Sequence, residues 1–278
     1  MASRDQLSFR ALLLGRLMRD LRDRSGLTIK SVAVFLGVDV GPVRRLERGE
    51  WVPAREQMVA LLDVYREHDA GRDGLLRLAE AAWPSRSEVD FDGAVPDESF
   101  ADLLWLEFEA SEIRCYSPAL IPDLLQTAEY AEHFARTTLG RSVLPEQVNA
   151  RMELAAQRQQ ILCRRREQMV SEFVLDECVL RHPVGDPAVW SGQLQHLARM
   201  ADLPHVQIDV RPAKAGTAQS PGGFTVFGLR PPNPPFVVHV EYLGGRLFLE
   251  NGYATSHLRV FDQLRKAAVD LDTSIVSS

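Results

Sequence analysis

GLTIKSVAVFLGVDVGPVRRLERGEWVP, residues 26–53, decides the fold of the N-terminal part. Thr28 is an N-cap residue for a short helix whose Val32, Ala33 and Leu36 face inward. Gly37 permits a tight turn, and a further helix starts from about Gly41, with Pro42 in its first turn. That helix closes at Gly49, and Pro53 precedes the next one. Two short helices separated by a glycine turn form a helix-turn-helix.

Working outward, Leu14, Leu17 and Leu21 recur at i, i+3 and i+7, an amphipathic helix that stops at Ser25-Gly26. Downstream, Met58, Leu61, Leu62 and Tyr65 mark a fourth helix, and a fifth runs from about Arg72 to Ala82. The expected organisation is an all-α helix-turn-helix domain over 1–82, a Pro-containing acidic linker over 83–98, and an α+β domain over 99–278. At 278 residues, two domains are the better expectation.

Charge separates along the same line. Residues 4–55 hold 11 Lys+Arg against 6 Asp+Glu, a balance of +5. The rest hold 21 against 32, a balance of −11, within a chain of net charge −6. A basic module joined to an acidic domain suits nucleic acid, because the acidic part is repelled and one basic face is left to dock. No apolar run approaches the roughly 20 residues of a bilayer span, and no signal peptide is legible, so no membrane role is expected. The cysteines Cys115, Cys163 and Cys178 are odd in number and widely spaced, which argues against a disulfide framework and fits a reducing cytoplasm.

Residues 26–53 resemble the XRE, or λ-repressor-like, family of transcriptional regulators. Gly26-Leu27-Thr28, Val32-Ala33, Leu36-Gly37-Val38, Val43, Arg45, Leu46-Glu47, Gly49 and Pro53 stand at that family's spacing. The resemblance implies that Arg22 on the first helix clamps Glu47 at the end of the recognition helix. It implies DNA contacts from Lys30, Asp39, Val40, Arg44, Arg45, Arg48 and Arg55 on a double-stranded operator. The family's usual Gln at the start of the second helix is Ile29 here, and the first turn of the recognition helix is Asp39-Val40-Gly41-Pro42 rather than polar. Val40 can touch only a thymine methyl, and Asp39 repels phosphate unless it accepts from cytosine N4. Guanine reading therefore falls to arginine, whose fork matches O6 and N7. The alternative is a domain that has lost strong operator affinity.

In the second domain helices are expected over 99–114, 118–137 and 145–165. Strands are expected over Glu172–Asp176, Val206–Val210, Phe224–Leu229, Phe236–Leu243 and Arg246–Glu250, with helices Pro187–Ala201 and Ser256–Ala268. The strand–helix–strand order implies a parallel pair, and Gly244-Gly245 a hairpin, in a mixed sheet of about five strands. The stretches Ser111–Glu132, Leu175–Leu197, Leu203–Pro212, Gly222–Phe227 and Val238–Asn251 resemble the antitoxin-like C-terminal domain of actinobacterial XRE regulators, the WhiJ-like group. That group prefers Gly at the position of Asp123. The resemblance implies a regulator whose second domain receives a small protein encoded next door or a small-molecule effector, and the one-turn spacing of paired recognition helices adds the expectation of a homodimer.

Catalytic signatures are absent: no GxSxG elbow, no GxxxxGK[ST] loop, and no PCxxC following His239-Val240-Glu241. No catalytic residue, metal or cofactor is expected. Gln126 and Tyr130, read on one helix face, and His239 and Glu241, on one strand face, are the candidate pocket residues; a satisfied histidine and a salt-bridged glutamate is the plainer reading of the second pair. Glu109 and Glu112, one helical turn apart and followed by Arg114, are either acid/base carboxylates or, the plainer reading, a solvated or Arg-paired face. The Ala213–Gly222 stretch lies where a pocket would have a lid, although an exposed connection is the plainer reading. Two functions stand against each other: an operator-binding regulator, and a ligand-binding or catalytic C-terminal domain carrying a vestigial helix-turn-helix.

Overall fold

The computed structural model describes residues 8–83, 98–139, 145–164, 169–216, 220, 222–230, 235–242 and 245–271. The chain divides into two units, one of residues Met1–Glu88 with Arg230–Pro235, the other of Val89–Leu229 with Phe236–Ser278. Residues 84–97 of the expected linker lie outside the described residues.

The first unit is helical: α1 (Phe9–Arg24), α2 (Ile29–Leu36), α3 (Val40–Glu47), α4 (Arg55–Val64) and α5 (Asp69–Ala82). Ser8 caps α1, its hydroxyl accepting from the Ala11 amide at 3.1 Å. At α2 the Thr28 hydroxyl accepts from the Ser31 amide, and the Thr28 amide donates back to the Ser31 hydroxyl at 2.9 Å, so two orphan donors are answered reciprocally. Gly37 at φ 65° makes the turn into α3. Leu13, Leu14, Met18, Val32, Val43, Leu46, Met58, Leu61 and Leu62 form the core. The buried stripe of α1 runs through Leu13, Leu14, Met18 and Leu21, with Leu17 only half-buried, one residue off the expected register.

The second unit is α+β. Its elements are α6 (Glu98–Glu109), β1 (Ala110–Ser117), α7 (Ala128–Leu139), α8 (Pro145–Arg164), β2 (Val170–Asp176), α9 (Glu177–Arg181), α10 (Pro187–Ala201), β3 (Val206–Arg211), β4 (Phe224–Leu229), β5 (Phe236–Tyr242), β6 (Gly245–Glu250), α11 (Gly252–Lys266) and β7 (Val269–Asp270). The mixed sheet has the order β6-β5-β4-β1-β2-β3-β7, seven strands rather than about five. β1–β2 and β2–β3 are parallel and the remaining pairs antiparallel. On one face α11 packs Ala254, Phe261 and Leu264 against Tyr116, Val174, Phe224, Val226 and Val238.

Three expectations change. The first helix ends at Glu109 instead of continuing to 114, because Ala110–Ser117 is the central strand; Ile113, Cys115 and Tyr116 are buried there. The expected helix over 118–137 starts only at Ala128: Pro118 and Pro122 hold the chain out of a helix, leaving a 3-10 turn at Asp123–Leu125. The two-residue β7 pairs with β3 by too short a run to show periodicity.

Candidate functional site

In the first unit, α3 is held against α1 by backbone proximity and by charge. A Cβ on Gly15 would lie 2.4 Å from the Leu46 carbonyl oxygen and 2.8 Å from the Gly49 amide. Gly49 has φ +76°, and a Cβ there would lie 2.8 Å from the Ala11 carbonyl oxygen. Neither position admits a side chain. Beside them, Arg22 grips Glu47 bidentately, Nε to Oε1 at 2.5 Å and Nη2 to Oε2 at 3.1 Å, with side-chain exposures of 10% and 6%. Arg22 Nη1 also donates to the Leu27 carbonyl at 3.0 Å, so one guanidinium ties α1, the turn before α2 and the end of α3. The Glu47 bond, working against burial, raises the Arg22 pKa. Arg19 Nη2 adds a bond to the Glu47 carbonyl at 3.0 Å.

On the outer side Lys30, Asp39, Val40, Arg44, Arg45, Arg48 and Arg55 are all exposed. Asp39 stands at the N-cap position of α3 without a side-chain capping bond. Arg48 pairs with Glu50 at 2.8 Å and Arg55 pairs with Glu80. These are surface pairs worth little, which a phosphate can displace. Arg44 and Arg45 lie on consecutive residues of α3, and the bare Gly41 sits one turn before Arg45, its notional Cβ 3.7 Å from Arg45 Nη1. Val34 and Phe35 on α2 are 74% and 52% exposed, an apolar pair that periodicity did not single out.

In the second unit an open cleft of about 780 Å³ lies within the range of small-molecule sites. Gln126, His239 and Glu241 line it and Tyr130 does not. Tyr130 is buried against Trp190, ring centroids 6.4 Å apart. It does not share a helix face with Gln126, which precedes α7 and donates from Nε2 to the Ile121 carbonyl at 2.7 Å. His239 and Glu241 alternate on β5 as expected. Glu241 is salt-bridged to Arg246 at 3.1 Å. His239, however, is not satisfied: it is 7% exposed, and its Nε2 has no hydrogen-bond partner among the described residues. A buried orphan of this kind costs about 1–3 kcal/mol.

The cleft also holds an ion triad that the sequence reading missed, buried at Arg158 and Glu107 and exposed at Asp123. Arg158 gives Nε and Nη2 to the two oxygens of Glu107, at 2.8 and 2.6 Å, and Nη1 to Asp123 at 2.8 Å. Burial raises the Glu107 pKa, with Arg158 opposing it. The partial loss of water at Asp123 is outweighed by Arg158, with Arg246 behind it, and that pKa is lowered. The signal for Glu107 was its place four residues after Leu103 on the inward stripe of α6. Glu109 and Glu112 are not a helical pair: Glu112 lies on β1 and meets Arg114 at 2.6 Å. Burial pushes the Cys115 thiol up to about 12, so it stays protonated at neutral pH. Gly222, at the end of the expected lid, lines the cleft; residues 217–219 and 221 lie outside the described residues. Among the described residues no His/Cys/Asp/Glu cluster could hold a metal, and no helix is long and apolar enough to cross a membrane.

Burial lowers the His239 pKa from 6.5 to about 4, with Arg246 adding to the effect. The unfolded ring binds its proton near 6.5, whereas the folded ring resists until about 4. The second unit should therefore be fully stable above that window and lose up to about 3 kcal/mol on this account as pH falls through it. Denaturation of wild type and His239→Gln at pH 7 and pH 4 checks this. The variant should lose less stability over the window, and equal losses would contradict the assignment.

A family model described as a domain of unknown function, DUF5753, matches residues 100–276, more than half of the chain. One described as a helix-turn-helix domain matches residues 13–75. No curated protein and no solved structure matches. The helix-turn-helix match supports a DNA-binding regulator.

Proposed function

This chain belongs to the DUF5753 family, and we propose that it is a cytoplasmic transcriptional regulator of the XRE type, related to the actinobacterial WhiJ-like group, and not an enzyme. It binds operator DNA as a homodimer through α3, over a domain plan of 1–82, a linker at 83–98 and a regulatory domain at 99–278. The carrying observation is the outer face of α3: Arg44 and Arg45 stand exposed there, with no ion pair among the described residues, on a helix locked from behind by Gly15, Gly49 and the Arg22–Glu47 pair. Arg44 and Arg45 read guanine, while Lys30, Arg48 and Arg55 position the phosphate backbone. Val40 supplies an apolar contact, and Asp39 faces cytosine. The second unit holds the dimer together and receives an effector.

Arg44→Ala and Arg45→Ala should each cost about 1–3 kcal/mol of binding to a site selected from genomic DNA fragments, where the arginine makes a bidentate contact. Lys30→Ala should weaken all sequences alike and flatten the salt dependence. Unchanged binding in both arginine variants would refute the assignment. No salt-dependent binding by the wild-type protein at all would favour the vestigial reading instead.

Paired recognition helices must stand about one DNA turn, roughly 34 Å, apart. Sedimentation should therefore show a dimer of the full chain, and also of residues 99–278. A monomer of 99–278 at micromolar concentration would move the dimer contact to the first unit.

A further inference from the structure

The sheet of the second unit presents two faces. Tyr116, Val174, Phe224 and Val238 pack with α11. Their sequence neighbours turn to the opposite face, by the two-residue period of a strand. There they stand in one row: Phe173 on β2 faces Cys115 on β1, Cys115 faces Thr225 on β4, and Thr225 faces His239 on β5. All four line the cleft, so this row is its floor. α6 and α7 add Leu103 and Phe134 to the walls. On the floor the Thr225 hydroxyl donates to the Cys115 sulfur at 3.4 Å. His239 is buried, and its Nε2 has no hydrogen-bond partner among the described residues. Burial lowers the pKa of that ring to about 4, so it is neutral at pH 7.

The charges of the described lining residues are already matched. Both oxygens of Glu107 accept from Arg158. Asp123 accepts from Arg158 at 2.8 Å through one oxygen and from Gln126 at 3.2 Å through the other. Glu241, the remaining charged group, pairs with Arg246.

We propose that this cleft is the receptor site for a small uncharged amphiphile, an apolar body bearing a hydroxyl, with the hydroxyl bonded to His239 Nε2. A charged head of either sign would give up its water without finding an unpaired counter-charge. A hydrocarbon with no polar group would leave Nε2 unanswered. A neutral imidazole has one donor and one acceptor nitrogen, and a hydroxyl both donates and accepts, so it answers Nε2 in either tautomer. Three strand spacings separate His239 from Phe173, roughly 14 Å along the floor, which leaves room for a chain of medium length. The inference rests on the reading of the second unit as an effector domain, and it adds the chemistry of the effector.

The probes are octanol, octylamine, octanoate and chlorooctane, titrated calorimetrically into the full-length protein without DNA, with chlorooctane read by competition against the alcohol. Octanol should bind roughly tenfold or more tightly than either ion. His239→Phe, which keeps a ring but no nitrogen, should weaken the alcohol by about fivefold, the loss of one neutral hydrogen bond, and leave chlorooctane unchanged. The exposed control Asp262→Asn should change nothing. In the wild-type protein the nitrogen chemical shift of His239 Nε2 should move on saturation with the alcohol and not with chlorooctane, which decides the contact if His239→Phe melts early. An ion that binds as tightly as the alcohol, no binding of any probe, an unmoved Nε2 resonance, or an alcohol affinity unaltered in a folded His239→Phe would overturn the proposal. A second arm adds octanol to the operator complex. Binding without a shift in operator affinity supports the site and overturns only the effector reading; a shift supports both, since such coupling is reciprocal.

Discussion

Glu47→Ala is expected to destabilise the helix-turn-helix unit by about 3–5 kcal/mol, because it strands a buried guanidinium. Arg22 has 10% side-chain exposure and spends Nε and Nη2 on Glu47, so removal of the carboxylate leaves two charged donors without an acceptor. The Leu27 carbonyl and the exposed Asp23 retain Nη1 only. Urea denaturation combined with amide exchange of α3 measures the loss, and operator binding should fall with it. Glu47→Gln, which keeps an acceptor oxygen, should cost less. The double replacement of Arg22 by Met and Glu47 by Leu should recover part of the stability, since apolar groups can replace a buried pair at little net cost. A loss under about 1 kcal/mol in Glu47→Ala would mean that the pair is solvated and does not clamp α3.

Gly49→Ala should cost on the order of 2–5 kcal/mol. The left-handed backbone at φ +76° contributes about 1–2 kcal/mol for any residue with a Cβ. Contact of that Cβ with the α1 backbone, 2.8 Å from both the Ala11 oxygen and the Leu12 nitrogen, adds about 1–3 kcal/mol of overpacking. Gly15→Ala tests the same seam from the other side without the φ penalty. Thermal unfolding of both variants should show an early transition confined to the first unit. If Gly15→Ala melts like wild type, α1 and α3 are not as close as 2.4 Å between the notional Cβ and the Leu46 oxygen requires.

The helices of the first unit are legible because their punctuation is local: Thr28, Gly37, Gly49 and Pro53 each act within one turn of their own position. Gly15 is not legible. Inside a helix it reads as a weak spot, and its reason, the Leu46 carbonyl, is thirty-one residues away. In the second unit, β3, β4 and β5 alternate or run apolar between turn residues and can be read directly. β1 cannot. The stretch Ala110–Ser117 follows a helix without a breaker and carries Glu112 and Arg114, so a helical continuation fits its pattern equally well. Only pairing with β2 and β4 makes it a strand. The cleft follows the same rule. His239 and Glu241 emerge from period two on one strand, but Glu107, Asp123 and Arg158 come from three separate elements whose meeting no spacing encodes.

The placement of β1 has a consequence for how the chain acquires its structure. This strand lies at the centre of the sheet, yet its partners are far downstream: Cys115 faces Phe173 on one side and Thr225 on the other. A polypeptide growing from its N-terminus at about 5–20 residues per second holds Ala110–Ser117 without either neighbour for several seconds. The first unit has no such wait, as its helices meet partners within a few dozen residues, the arrangement that folds fastest. A folded nucleic-acid reader should therefore exist on the nascent chain while the second unit is still an unpaired strand edge. Ribosome release after Phe173 but before Phe224 would leave that edge open, the condition under which strands pair with other chains and aggregate.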